Sequence, residues 1–222
     1  MSYEPRVGRD SNWIKPMGPI IWSTKITDTL HNIMMEESLR LKKNKENRFN
    51  NSLAGNIVDE FSFSPAAQKR CVDELTFLCH NYTMVLKSEG YMMNPWNDGI
   101  PEKELQLDKI WVNFQKTGEW NPVHAHFGLF SYVVYLQVPK EIQEEANQPH
   151  QKNNFPVAGK IVFEYGENVP FIKANHIMTP FEKDIHFFPA KLKHSVYPFK
   201  SNVERISISG NFFTPRRDWQ LY

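Results

Sequence analysis

Residues 124–136 read His124-Ala125-His126-Phe127-Gly128-Leu129-Phe130-Ser131-Tyr132-Val133-Val134-Tyr135-Leu136, and they decide how the chain is understood. Side chains on an extended segment alternate between two faces, so His124 and His126 point the same way. The run from Ser131 to Val138 is rich in Val and Tyr, residues that favour strands. Ser131, Val133 and Tyr135 share one face of it. A strand with a pair of imidazoles just upstream is the first half of a metal site.

Period-two patterning extends on both sides. Leu105, Leu107, Ile110, Val112 and Phe114 alternate with polar residues, apart from a break near Asp108. Lys160 to Tyr165, Ile185 to Phe188 and Arg205 to Phe213 also read as strands. Short strands separated by turn signals indicate an all-β sandwich or barrel. The polar interruption at 139–158 reads as a long loop. Upstream of residue 100 the period changes. The first 25 residues look irregular, with Pro5, Pro16 and Pro19. Thr27 to about Asn44 reads as a helix capped by Thr27 or Asp28, with Leu30, Ile33, Met34 and Leu41 near one face. Ser64-Pro65 opens a second helix, which Gly90 ends. Its stripe of Val72, Leu75, Leu78, Cys79, Tyr82, Val85 and Leu86 is read as core packing. The chain is therefore expected to be one domain over 1–222. Residues 1–100 form a helical support and 101–222 a β core.

The 222 residues carry 26 Lys plus Arg against 25 Asp plus Glu, a formal net charge of +1. That balance gives no general attraction to nucleic acid or membrane surfaces. Met1 to Pro19 lacks the apolar stretch of a signal peptide. Cys71 and Cys79 fall on the same predicted helix about 12 Å apart along its axis, too far for a disulfide. Free thiols without an export signal fit a reducing, cytoplasmic setting.

A lone His-x-His is weak evidence of a metal. His194 supplies the third candidate ligand, following an apolar strand that ends at Pro189. His31, His80, His150, His176 and His186 have no partner at ligand spacing and are read as structural or solvated. The strand from Arg205 adds weight. Arg205, Ser207, Ser209 and Asn211 share one face, while Ile206, Ile208 and Phe212 share the other. A polar face inside an apolar barrel needs a polar partner. A buried arginine calls for a carboxylate, which its planar fork binds bidentately.

These residues resemble the 2-oxoglutarate/Fe(II)-dependent oxygenase family over roughly 104–213, in particular its prolyl-hydroxylase-like branch and phage-encoded members. His124-Ala125-His126 stands where the family has His-x-Asp/Glu. Phe130 to Leu136 resembles the strand that follows. His194 matches the distal histidine, and Arg205 with Ser207 matches the Arg-x-Ser that binds the far carboxylate of 2-oxoglutarate. The resemblance implies a mainly β, double-stranded β-helix (jelly-roll, cupin-like) barrel buttressed by the N-terminal helices. It implies Fe(II), 2-oxoglutarate and O2 as cofactor and cosubstrates, with Tyr135 on the same carboxylate as Arg205. It also implies hydroxylation of a peptide, protein or small-molecule substrate, with a peptidyl proline as one candidate. Trp111, Asn113, Trp120 and Asn121 are placed to line the pocket, and 139–158 and Tyr91 to Gly99 to contact substrate.

The departure from the family pattern is His126, where a carboxylate is usual. A third neutral ligand leaves the iron one unit more positive, which favours anionic 2-oxoglutarate. Glu164, on the strand Lys160 to Glu164, is the alternative third ligand. The His-x-His spacing favours three histidines. Two rival readings are a cupin-like three-histidine dioxygenase without 2-oxoglutarate and a metal-binding barrel without turnover. Only the 2-oxoglutarate reading requires Arg205.

Overall fold

The computed structural model describes residues 12–14, 18–91, 98–146, 157–167, 169–170 and 173–215. Its elements in chain order are β1 (Asn12–Ile14), β2 (Ile21–Lys25), α1 (Asp28–Asn44), β3 (Asp59–Ser62), α2 (Pro65–Ser88), β4 (Gln106–Gln115), β5 (Asn121–His124), β6 (Phe130–Gln137), α3 (Lys140–Ala146), β7 (Ile161–Glu164), β8 (Asn175–Met178), β9 (Asp184–Pro189), β10 (Lys193–Val196) and β11 (Arg205–Phe213). Short 3-10 turns occupy Asn50–Ser52 and Glu102–Glu104.

Two antiparallel sheets face each other. The larger runs β1-β2-β9-β6-β11-β4-β3 and the smaller β5-β10-β7-β8. This is the mainly β jelly roll expected. Alternation along each strand of the larger sheet sorts its residues. Ile206, Ile208 and Phe212 of β11, with Ile110, Val112 and Phe114 of β4, pack outward in one apolar cluster with the helices. Ile21, Val133, Tyr135 and Phe188 point inward and meet Ile161, Phe163, Leu192 and Val196 on the smaller sheet's side.

The helices cover the outer face of the larger sheet. The Thr27 hydroxyl accepts from Leu30 N at 3.1 Å and starts α1. Glu74 of α2 accepts from Thr27 N and Thr27 Oγ1 at 2.9 and 2.6 Å, which ties the two helices together at that end. Ser64 caps α2 with Pro65 in the first turn, and Gly90 follows at φ 73°, where a Cβ would be strained. The stripe on α2 is core: Leu75 and Tyr82 are fully buried, and the Tyr82 ring meets Phe130 edge-on at 5.0 Å. Each such side chain contributes roughly 1.5–3 kcal/mol by leaving water. Cys71 and Cys79 are buried and free. No described helix is long and apolar enough to cross a membrane.

Two local expectations change. The first 25 residues supply strands β1 and β2, because Ile20, Ile21 and Trp22 are buried against β9 and carry the chain into the sheet edge. The stretch expected to be a loop from 139 opens with helix α3, whose Ile142 is buried and whose Glu145 carboxylate accepts from Lys200 N and Ser201 N. Residues 147–156 of that stretch lie outside the described residues, as do His150 and 92–97.

Candidate metal and cosubstrate centre

His124 is the last residue of β5, and it stands directly across from His194 on β10. Cross-strand neighbours share a face, so both imidazoles enter the space between the sheets. His126 lies just beyond β5, where its N–H donates to Ala190 O at 2.8 Å. That bond draws it in beside the pair. The ring centroids are 4.4 Å apart for His124 and His194, 4.9 Å for His124 and His126, and 5.0 Å for His126 and His194. One ring nitrogen from each residue lies within 4.8 Å of the other two.

The tautomers follow from the backbone. A carbonyl only accepts, so His124 Nδ1–H donates to Pro122 O at 2.7 Å and His194 Nδ1–H to Leu192 O at 2.9 Å. Both Nε2 atoms are then lone pairs. His126 Nε2 lies 3.2 Å from His194 Nε2. Metal–nitrogen bonds of about 2.0–2.1 Å meeting at right angles separate adjacent donors by about 3 Å. Burial holds all three rings below the ordinary imidazole range. His126 is pushed to about 4, with His124 adding to the effect, and His194 lies well below, with its two neighbours adding to burial. They are neutral at pH 7, the form that ligates. Phe163 and Phe188 press on His194 with centroids at 5.8 and 4.9 Å. The donor set fits a divalent metal such as Fe(II).

Glu164 is not in this cluster. It pairs with Lys193 across β7 and β10, while Phe163 pairs with His194, so the Glu164 side chain takes the opposite face. His31 and His80 are held by the Leu136 and Ile100 carbonyls at 2.9 Å each. His186 is held by the Ser23 hydroxyl at 2.7 Å.

The same cavity, about 290 Å³, extends from the imidazoles to Arg205, Ser207 and Tyr135. Arg205 is only 2% exposed. Its Nη1 donates to Gly159 O, and its Nε has no partner. Its guanidinium carbon lies 5.5 Å from the Tyr135 ring centroid. The Tyr135 hydroxyl is also buried without a partner, and burial pushes it up to about 12. It is therefore a donor at neutral pH. Ser207 stands directly across from Tyr135 on the neighbouring strand. No carboxylate pairs with Arg205 among the described residues. Glu204, next in sequence, points outward to Lys42 at 2.6 Å. An unneutralised arginine and an unmet phenol facing one cavity are a cradle for a carboxylate.

Residues 109–211 match the family model "Putative 2OG-Fe(II) oxygenase". This segment, 103 of the 222 residues (211 − 109 + 1), is similar to the 2OG-Fe(II) oxygenase family. It is an enzyme family that works with Fe(II), 2-oxoglutarate and O2. Among solved structures, a prolyl-4-hydroxylase from Pseudomonas putida is 17% identical with a TM-score of 0.54, over 88% of this chain and 92% of that one. A prolyl hydroxylase from Trichoplax adhaerens, in complex with a hypoxia inducible factor oxygen degradation domain peptide fragment, is 12% identical at 0.52, over 87% and 83%. HygX from Streptomyces hygroscopicus, with nickel and 2-oxoglutarate bound, is 10% identical at 0.50, over 88% and 82%. At these identities the chain shares a fold with them. No curated protein sequence matches the chain.

Trp111, Asn113 and Asn121 line the cavity as expected, whereas Trp120 is 43% exposed and does not. Sequence reasoning missed Glu60. It is buried at 1% exposure in the cavity wall, on a strand of four residues. The available signal was the alternation of Glu60 and Ser62 with Phe61 and Phe63.

Proposed function

We propose that this protein is a hydroxylase in which His124, His126 and His194 hold the iron, and Arg205, Tyr135 and Ser207 hold the far carboxylate of 2-oxoglutarate. The observation that carries the reading is Arg205: a buried guanidinium with an unpartnered Nε, facing an unpartnered Tyr135 hydroxyl, in the cavity that also contains the three imidazoles. Iron, when bound, supplies oxygen activation coupled to oxidative decarboxylation of 2-oxoglutarate. The chain's own residues do the rest. His124 and His194 keep their Nε2 lone pairs aimed inward because the Pro122 and Leu192 carbonyls fix the other nitrogen. Arg205 neutralises and orients the cosubstrate, with Tyr135 O–H as a second donor. Phe163, Phe188, Val133 and Ile161 exclude water from the space between the sheets.

The substrate most in keeping with the fold is a prolyl residue in a peptide. The support is the shared architecture with the Pseudomonas putida and Trichoplax adhaerens prolyl hydroxylases, which is an argument from fold. The test is 2-oxoglutarate consumption by the Fe(II)-loaded protein with ascorbate, with and without a proline-containing peptide. Turnover, and the gain of one oxygen atom by the peptide, are expected. If the protein neither consumes 2-oxoglutarate nor binds it with Mn(II), the hydroxylase reading falls.

A further inference from the structure

Four residues form a straight row across the inner face of the larger sheet. Tyr135 faces Ser207, Ser207 faces Asn113, and Asn113 faces Glu60, each directly across one strand pair. Three steps of about 4.8 Å put the far ends about 14 Å apart. One end is the phenol beside Arg205. The other is a carboxylate.

Glu60 is 1% exposed. Its Oε2 accepts from Asn50 Nδ2 at 3.1 Å, and its Oε1 has no donor. Asn113 Oδ1 and Asn121 Oδ1 are likewise buried without a donor, and all three residues line the cavity. Asn113 Nδ2 faces Ser209 Oγ at 3.4 Å and Ser207 O at 3.5 Å, which turns its oxygen the other way. Asn121 Oδ1 and Glu60 Oε1 converge beside Gly55: a Cβ there would lie 2.1 Å from the first and 3.3 Å from the second. No cationic group pairs with Glu60 among the described residues. The charge that acts on it is Glu119, of like sign.

A buried acceptor without a donor forfeits its hydration. Two of them converging beside Gly55, one a carboxylate, with a third on the neighbouring strand, are the inverse of the Arg205 end and need a donor-rich, positive partner. A hydroxyl brings one proton, whereas an ammonium brings three N–H donors and a guanidinium five. The wall between is aromatic. The Trp111 ring lies 5.8 Å from Phe49 and 5.8 Å from His126, so it connects this end of the cavity to the imidazoles. The Phe49 face already carries the Lys109 ammonium, 5.4 Å from its centroid, so a ligand cation would meet the Trp111 side of this wall.

We propose that the Glu60 end of the cavity is a subsite for a guanidinium or ammonium group of the substrate, with Glu60 as its counter-ion and Asn121 and Asn113 as neutral acceptors. The substrate class is thus a molecule carrying a basic group on the side of the oxidised carbon away from 2-oxoglutarate. Only the word substrate rests on the hydroxylase reading; the cation site does not.

The probes are butylguanidinium and its neutral analogue butylurea. Binding is followed by NMR in the full-length protein, with Mn(II) replaced by diamagnetic Zn(II), with and without 2-oxoglutarate. Butylguanidinium is expected to bind at least tenfold tighter than butylurea, and Glu60→Gln to lose at least tenfold in butylguanidinium affinity. Equal binding of the two probes by the unaltered protein overturns the subsite, whether or not the variant folds. So does undiminished binding of butylguanidinium by a folded Glu60→Gln. If 2-oxoglutarate fails to bind while butylguanidinium binding depends on Glu60, the hydroxylase reading fails and the cation site stands.

Discussion

The Arg205 guanidinium carbon lies 5.5 Å from the centre of the Tyr135 ring, and neither the Arg205 Nε nor the Tyr135 hydroxyl meets a partner. Both groups carry a desolvation cost that a bound carboxylate would relieve. Hydrogen bonds to charged groups contribute roughly 1.5–3 kcal/mol each. Arg205→Ala should therefore weaken 2-oxoglutarate binding at least tenfold, because about 1.4 kcal/mol is a factor of ten. Arg205→Lys should recover part of the loss, since a point charge does not reproduce the fork. Tyr135→Phe should lose about tenfold on its own. Affinity measured by calorimetry with Mn(II) present checks all three, and unchanged binding in Arg205→Ala would falsify the assignment.

Metal binding separates the imidazoles from the cradle. His124→Ala and His194→Ala should each abolish stoichiometric Mn(II) binding, while Arg205→Ala leaves it intact. His126→Asp restores a two-histidine, one-carboxylate donor set and should keep the metal. The check is metal content after dialysis, alongside thermal melting to show that each variant folds. A normal content in His126→Ala would remove His126 from the ligand set.

Much of this site was legible because three kinds of local signal agreed. The polar and apolar faces of Arg205 to Phe213 are set by strict alternation, and the structure keeps both. The caps at Thr27 and Ser64 mark helix starts that depend only on neighbours in sequence. The three histidines were found by residue type and spacing. Their geometry was not legible, because β5 and β10 are four residues each, and β5 contains Pro122. Only tertiary pairing makes His124 and His194 direct partners. Strands β2 and β3 were missed for the same reason: pairing with β9 and β4 fixes them, not local propensity. Glu60 acquires its meaning only from Asn113, 53 positions later in the chain (113 − 60).

The two cysteines should be chemically silent in the native protein. Burial pushes the Cys71 thiol up to about 12 and the Cys79 thiol well above its ordinary range. The thiolate is the reactive form, so almost none is present at pH 8. A thiol-reactive disulfide reagent should label neither quickly in buffer and both in denaturant. Fast native labelling of either would show that α2 opens from the sheet.

Glu60 should leave a signature in stability as well as in binding. Burial is the main reason its carboxyl is raised from an ordinary 4.5 to about 7, and the Glu119 carboxylate adds to it, partly offset by Asn50. The folded state therefore holds a proton that the unfolded state has already released between these two values. Stability falls with rising pH wherever the folded state binds more protons. The contribution is intact below about pH 4.5, declines through about pH 7, and is fully lost above it. At about 1.4 kcal/mol per pKa unit the loss is at most on the order of 3 kcal/mol. Glu60→Gln keeps the shape and has no proton to lose. Urea unfolding at pH 5 should give nearly equal stabilities for the two proteins, and at pH 8 the variant should be more stable by roughly 1–3 kcal/mol. The difference between the proteins isolates Glu60 from every other titrating group. A constant difference from pH 5 to pH 8 would mean that the carboxyl is already ionised and paired, which removes the unmet acceptor on which the cation subsite rests.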